Sequence, residues 1–192
     1  MKRYACLDIG GTAIKYGLID ETGYILEKYS TVTEAETILK TAIDIVEQLR
    51  STNDISGICI STAGMVDPQK GEIIYSGPTI PNYKGTRFKE VMEERFGVPC
   101  EVENDVNCAN LAEYVSGASV GSDTSIMLTI GTGIGGSMIL NGELYHGCTY
   151  SAFEVGYMHM EDSDFQTLGA ASILTAKVAE RKQEPKESWS GM

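Results

Sequence analysis

The sequence is poor in positive charge and has neither a paired-cysteine motif nor a long apolar run. Lys and Arg number 15 against 27 Asp and Glu, for a net charge of −12. A general nucleic-acid surface needs basic patches to displace counterions, so that class is disfavoured. A membrane-spanning helix needs about 18 or more consecutive apolar residues, and no such run occurs; nor does the N-terminus carry an apolar leader segment. The five cysteines, Cys6, Cys59, Cys100, Cys108 and Cys148, are odd in number, and no two form C-x-x-C. That pattern speaks against a disulfide framework or a zinc site and for buried, reduced thiols in a cytoplasmic protein.

What remains is ordinary globular composition, 42% hydrophobic and 22% charged. A chain of 192 residues suits one large domain or two small lobes with a real core. Strands are expected at Tyr4–Ile9, Ile14–Ile19 and Tyr24–Tyr29, as three consecutive antiparallel strands. Apolar residues at Ile38, Leu39, Ala42, Ile45, Val46 and Leu49 predict an amphipathic helix from about Glu34 to Arg50. Ile55–Ser61 and Glu72–Tyr75 read as strands, Ser76–Gly85 as a loop, and Arg87–Phe96 as a helix closed by Gly97.

A strand through Val102 then meets a helix that begins at Asp105 and fades at Gly117–Gly121, the best candidate hinge. This divides the chain into 1–117 and 118–192. The second part repeats the first in outline: strand Ser125–Ile130, a glycine turn, strand Ser137–Leu140, and an Asn141-Gly142 hairpin. A helix is expected over Thr167–Arg181, followed by a polar tail, Lys182–Met192.

Chemistry concentrates in three places. Glu103-Asn104-Asp105 sits at a helix start, where a carboxylate accepts backbone N–H groups and the helix dipole favours its ionised form. Asp105 is either a cap or a base. The other two places are glycine turns, Gly10-Gly11-Thr12 and Gly131-Thr132-Gly133, each between two strands and each carrying a threonine hydroxyl. Gly131, Gly133 and Gly136 satisfy G-x-G-x-x-G, but a strand and a hairpin follow instead of the helix that a dinucleotide site requires. Neither turn carries the G-K-[ST] of a P-loop. Exposed N–H groups in such turns form anion-binding nests; a tight hairpin without a ligand is the plainer alternative. Asp8 either holds water on Mg²⁺ or merely ends a strand. Phosphate cradles, Mg²⁺ and a carboxylate to take the proton of an attacking hydroxyl are the parts of phosphoryl transfer.

Asp8-Ile9-Gly10-Gly11-Thr12, Glu103-Asn104-Asp105 and Thr129-Ile130-Gly131-Thr132-Gly133-Ile134-Gly135-Gly136 together resemble the ROK (repressor, open reading frame, kinase) family of sugar kinases, in the same order and over the chain to about Met160. The resemblance implies an α/β, actin-like ATPase fold of the ribonuclease-H type, in two lobes with the second incomplete. It implies transfer of the ATP γ-phosphate to a sugar hydroxyl, with Mg²⁺. By the same resemblance Asp105 is the general base and Asn104 a sugar ligand, and Gly64 lies in the sugar turn. Gly10, Gly11, Thr12, Thr132, Gly133 and Gly135 surround the phosphates, and Asp8 serves the nucleotide and the metal. Glu154-Val155-Gly156-Tyr157 resembles the family's Glu-x-Gly-His, which makes Glu154 a ligand of sugar hydroxyls, although on its own it reads as a capped or solvated carboxylate.

The sequence departs from that pattern in two ways. Tyr157 replaces the usual histidine, and no cysteine follows Cys148, so no structural zinc is expected. This resembles the zinc-less branch that includes β-glucoside kinases. Tyr157 either hydrogen-bonds the sugar or packs. The chain is also short for the family and reads as C-terminally truncated, which implies exposed apolar surface. The expected function is therefore ATP-dependent phosphorylation of a hexose or hexose derivative such as a β-glucoside, at the 6-hydroxyl. Two alternatives stand beside it: a non-catalytic sugar-binding fragment of such a kinase, and a sugar-sensing transcriptional regulator. No nucleic-acid or membrane partner is expected; the family implies that homodimers occur.

Overall fold

The computed structural model describes residues 1–77 and 80–185. Residues 186–192 of the polar tail, and Pro78 and Thr79 of the Ser76–Gly85 loop, lie outside the described residues. The chain divides into two compact units, Met1–Cys108 and Ala109–Met192.

The first unit is built on a five-stranded sheet. Strands β1 (Arg3–Ile9), β2 (Ala13–Asp20) and β3 (Ile25–Val32) form an antiparallel meander. On the other side of β1, strands β4 (Gly57–Thr62) and β7 (Cys100–Asn104) add in parallel, giving the order β3-β2-β1-β4-β7. Strand alternation makes one face of the sheet the core. Ala5, Leu7 and Ile9 of β1, Ile58 and Ile60 of β4, and Cys100 and Val102 of β7 are buried, and the residues between them face the other way. Helix α1 (Ile38–Arg50) lays Ile38, Ala42, Ile45, Val46 and Leu49 into that core.

Helix α1 begins at Ile38, the first apolar position of the pattern and about a turn later than the expected start at Glu34. Just before it, the Thr33 hydroxyl donates to the Gly10 carbonyl (2.7 Å) and the Thr33 N–H to the Thr12 carbonyl (3.0 Å). These bonds hold the chain extended, and winding starts only after the Glu34–Thr37 turn.

A small hairpin of β5 (Met65–Asp67) and β6 (Glu72–Tyr75) follows β4. β5 is a strand that sequence reasoning left out, because three residues carry too little periodicity to be read without their partner. Helix α2 (Phe88–Phe96) buries Phe88, Met92 and Phe96 and ends at Gly97, whose φ of +66° is left-handed.

Helix α3 (Asp105–Ser116) follows β7 without a loop, and the boundary between the two units falls inside it. The second unit contains a three-stranded sheet of β8 (Thr124–Ile130), β9 (Ile134–Leu140) and β10 (Glu143–Leu144), in the order β10-β9-β8. Asn141 and Gly142, with φ of +54° and +81°, make the left-handed two-residue turn that the Asn-Gly pair predicts. The expected helix over Thr167–Arg181 is two helices, α4 (Phe165–Gly169) and α5 (Ala171–Lys182). Ala170 between them is extended (ψ 147°) and buried. Asp164 caps α4 through the Thr167 N–H, and Ser172 is tied to the glycine turn after β8, which forces a second helix start.

Strand β8 reverses the usual alternation. It lies at the edge of its sheet, and Ile126, Leu128 and Ile130 are 60%, 49% and 61% exposed. No helix among the described residues is long and apolar enough to cross a membrane. Only Cys100 of the five cysteines is fully buried; Cys6 and Cys108 are half-buried and Cys59 and Cys148 exposed, all as free thiols. The expectation of buried thiols fails at Cys59 because it occupies the non-core face of β4.

Candidate active site

Asn104 and Asp105 occupy the junction of β7 and α3. Asn104, not Asp105, is the helix cap: its Oδ1 accepts the N–H groups of Val106 (2.9 Å) and Asn107 (3.2 Å). Its Nδ2 donates to the Gly64 carbonyl (2.9 Å) and to Asp105 Oδ1 (3.0 Å). An asparagine amide offers two donors and an oxygen with two lone pairs, and all four are in use. Asp105 is the first helical residue, and its Oδ1 also accepts the Val106 N–H (3.0 Å). Both of these bonds fall on Oδ1; Oδ2 takes neither.

The Asp105 pKa is raised, contrary to the expectation from the helix start. Loss of hydration among the surrounding protein atoms is the largest cause, and the negative charge of Asp8 adds to it. The hydrogen bonds from Val106 and Asn104 pull the other way and are outweighed. The helix start is therefore real, but its effect on the carboxylate loses to desolvation. Glu103 braces the junction from the β7 side, accepting the Asn104 N–H (2.7 Å) and Asn107 Nδ2 (3.0 Å).

Asp8 reaches the same neighbourhood from β1. Ser61, its register partner on β4, donates from Oγ to Asp8 Oδ1 (2.9 Å), and Lys15, its partner on β2, lies 3.7 Å from Oδ2. The turn beyond it is closed by the Gly10 N–H donating to the Ala13 carbonyl (3.1 Å), with Gly11 and Thr12 exposed at its tip. Gly64 links β4 to β5 at φ +102°, and a Cβ there would sit 2.7 Å from the Tyr75 carbonyl oxygen. Only glycine fits that position. Its carbonyl can therefore point at Asn104, which places the predicted sugar turn against the predicted base.

In the second unit, Gly131-Thr132-Gly133 forms the β8–β9 turn, closed by the Gly131 N–H donating to the Gly133 carbonyl (2.9 Å). The Ser172 hydroxyl donates to the Thr132 carbonyl (2.6 Å), and the Ile134 N–H to Gln166 Oε1 (3.4 Å). Gly135 lies in β9, paired with Thr129, and not in the turn. No glycine of either turn has positive φ, so neither is a nest of alternating handedness.

Glu154 sits half-buried before a short 3₁₀ turn, Val155–Tyr157. Its φ of −67° and ψ of 56° make it the centre of an inverse γ-turn, closed by the Val155 N–H donating to the Phe153 carbonyl (2.6 Å). A Cβ on Gly156 would lie 2.1 Å from the Ile134 carbonyl oxygen, and one on Gly136 2.6 Å from that of Phe153. Two glycines thus let the Glu154 segment rest directly on the start of β9, beside the second glycine turn. Tyr157 is 54% exposed.

The predicted residues accordingly gather in two groups, one in each unit. Asp8, Gly64, Asn104 and Asp105 are joined by hydrogen bonds and charge in the first, with Gly10, Gly11 and Thr12 at the end of β1. Thr132, Gly133, Gly135, Glu154 and Tyr157 belong to the second. Sequence reasoning missed Ser61, Thr33, Gln166 and Ser172, which hold these groups in place. It also missed Asn110, buried with its Nδ2 donating to Ser137 Oγ (3.1 Å). Lone hydroxyls and amides carry no spacing signal. Among the described residues no cluster of three or more His, Cys, Asp or Glu suits a metal ion. Mg²⁺ needs less from a protein, since it is commonly held by one or two carboxylates together with substrate phosphates. Asp8, half-open to solvent and close to Asp105, fits that donor set.

Residues 4–171 match the ROK family, and the chain belongs to it. It is 50% identical over 186 residues to an uncharacterized protein of Clostridium perfringens, covering 95% of this chain and 63% of that protein. It is 38% identical over 159 residues to a β-glucoside kinase of Listeria monocytogenes, covering 83% of this chain and 54% of that enzyme. Among solved structures it superimposes with a TM-score of 0.82 and 30% identity on a ROK family glucokinase from Streptomyces griseus in complex with glucose and AMPPNP, over 94% of this chain and 61% of that one. The fold is thus the α/β, actin-like ATPase fold of ROK kinases. The chain spans roughly half to two thirds of the length of these relatives.

Proposed function

We propose that this chain carries the sugar-binding and catalytic-base part of an ATP-dependent sugar kinase, which phosphorylates a hexose or hexose derivative such as a β-glucoside at its 6-hydroxyl. The observation that carries the reading is the bonded set Gly64, Asn104 and Asp105. A carboxylate is held by one oxygen, at a helix start, beside a turn that only glycine can make. Asp105 accepts the proton of the attacking hydroxyl as the phosphoryl group moves, a step that needs only a modest base in a loose transition state. Its raised pKa makes it a better proton acceptor than an ordinary aspartate, at some cost in ionised fraction at acid pH.

Asn104 orients Asp105; a direct bond from Asn104 to the sugar exchanges one of its four internal bonds. Glu154 and Tyr157 contact sugar hydroxyls, and Thr132, Gly133 and Gly135 with Gly10, Gly11 and Thr12 bound the phosphates. Asp8 would hold Mg²⁺, which when bound would neutralise phosphate charge, with Ser61 and Lys15 fixing the Asp8 carboxylate.

The partial coverage of the relatives favours one second reading, a chain that binds sugar without turning it over. A coupled ADP-release assay across hexoses and β-glucosides, run beside calorimetric sugar titration of the same chain, separates the two. Turnover abolished by Asp105→Ala supports the kinase. Sugar binding with no ADP release supports the binding module, and neither signal with any sugar refutes both.

A further inference from the structure

The face of the first-unit sheet opposite α1 carries a pair of thiols that the proposed reaction does not use. Cys6 on β1 and Cys59 on β4 are direct register partners on neighbouring parallel strands. Residues facing each other across such a pair project to the same side. Their neighbours Ala5, Leu7, Ile58 and Ile60 take the core side, so both thiols take the open one. Cys59 is exposed and Cys6 half-buried. Cys100, on the next strand, shows the contrast: it pairs with Ile58 rather than Cys59 and is buried in the core.

We propose that Cys6 and Cys59 form a reversible, peroxide-sensitive dithiol, a modification site one side-chain repeat from the Asp8–Ser61 pair. Strand spacing puts the two Cα atoms about 4.8 Å apart, inside the range of disulfides. The Cys6 Sγ lies 3.8 Å from the Tyr4 carbonyl to which it donates, and the neighbouring Cys6 side chain draws the Cys59 thiol below its ordinary range. Directly paired parallel positions hold their Cβ atoms wider apart than a relaxed disulfide prefers. The product is therefore strained and easily reduced, as regulatory disulfides are.

The oxidant is hydrogen peroxide. The Cys59 thiolate attacks one peroxide oxygen, the O–O bond breaks, and the displaced hydroxide takes a proton to leave as water, giving a sulfenic acid. The Cys6 thiol then attacks the Cys59 sulfur and loses its proton, and the sulfenic hydroxyl departs as a second water when the S–S bond forms. Two thiols are oxidised by two electrons and one peroxide is reduced to water. A small thiol reductant reverses the step by exchange. Closure draws β1 and β4 together two residues before Asp8 and Ser61, and so acts on the carboxylate assigned to Mg²⁺. The dithiol itself does not depend on the kinase reading.

The test treats the full chain with hydrogen peroxide, alkylates residual thiols and maps peptides by mass spectrometry. A cross-link joining the Cys6 and Cys59 peptides, lost on treatment with dithiothreitol, is the expected result. Cys59→Ser should remove it, Cys148→Ser should leave it, and Cys6→Ser should trap a dimedone-reactive sulfenic acid on Cys59. Serine is nearly isosteric at both positions, and circular dichroism verifies folding of each variant. A cross-link of Cys59 to Cys108 or Cys148 instead would overturn the proposal. So would direct oxidation of Cys59 to the sulfinic acid with Cys6 left as a thiol, or no reaction at either.

Discussion

Asn104 Nδ2 lies 3.0 Å from Asp105 Oδ1 and 2.9 Å from the Gly64 carbonyl, so one amide fixes both the carboxylate and the turn beside it. Its oxygen meanwhile caps α3. The residue next to the proposed base is therefore a positioning residue, whatever else it touches when sugar is bound. Asn104→Ala removes both functions, and Asn104→Ser keeps only the cap. Both variants should show an Asp105 pKa raised further, read by carboxyl NMR titration, because the Asn104 donor lowers it. Only the alanine variant should also lose about 0.5–2 kcal/mol in urea unfolding, the usual worth of a cap. Equal stability of the two variants would place the cap elsewhere.

Asp105 should trade stability for function. Its folded-state pKa is raised above the usual 3.8 by desolvation, so the native state binds the proton more tightly than the unfolded chain does. Stability from this group is then present at acid pH and is lost as pH rises through the folded pKa. Asp105→Asn should abolish turnover yet raise the melting temperature at neutral pH, with the gain shrinking as pH falls below the raised value. Turnover in the parent chain should fall on the acid side as Asp105 protonates. A melting-temperature gain independent of pH would show that charge burial is not the cause.

The two glycine segments of the second unit should respond differently to alanine. A Cβ on Gly156 would sit 2.1 Å from the Ile134 carbonyl oxygen, whereas one on Gly131 meets nothing within 4 Å. Gly156→Ala must push the Glu154 segment off β9, so it should lower the melting temperature and weaken sugar binding by tenfold or more, read by calorimetry. Gly131→Ala should leave the fold intact and affect only nucleotide binding. A Gly156→Ala variant with normal sugar affinity would remove Glu154 from the site.

The stripe of Ile126, Leu128 and Ile130 on edge strand β8 should behave as a sticky surface. Exposed apolar edges template association with other chains. Replacing Ile126 and Ile130 by threonine keeps β-propensity and removes apolar area. The double variant should bind less hydrophobic dye and stay monodisperse at higher concentration, with unchanged circular dichroism. Unaltered dye binding would place the sticky surface elsewhere.

Much of this was legible in the residues because it depends on local chemistry. Asn141-Gly142 announced its hairpin, Gly97 its left-handed cap, and the Ile38–Leu49 periodicity its helix, since backbone conformation there follows from the side chains themselves. The glycine turns, the Asn-Asp pair and Glu154 were equally visible, and their order was enough to suggest the family. Less was legible where a distant segment decides. Thr33 delays α1 by bonding a turn over twenty residues earlier in the chain, and Ser172 splits a helix by bonding a turn far upstream.

By itself, then, the sequence determined most of the elements, the family and the candidate residues, but not β5, the start of α1 or the break between α4 and α5. Tertiary structure alone decided that Asn104 caps the helix, that burial overrides the helix start at Asp105, that Gly64 and Gly156 are glycines for want of space, and that Cys6 stands beside Cys59. Apart from the cap, whose bonds are local, each of those depends on which atoms approach across segments far apart in sequence, and desolvation and steric exclusion arise only from that approach.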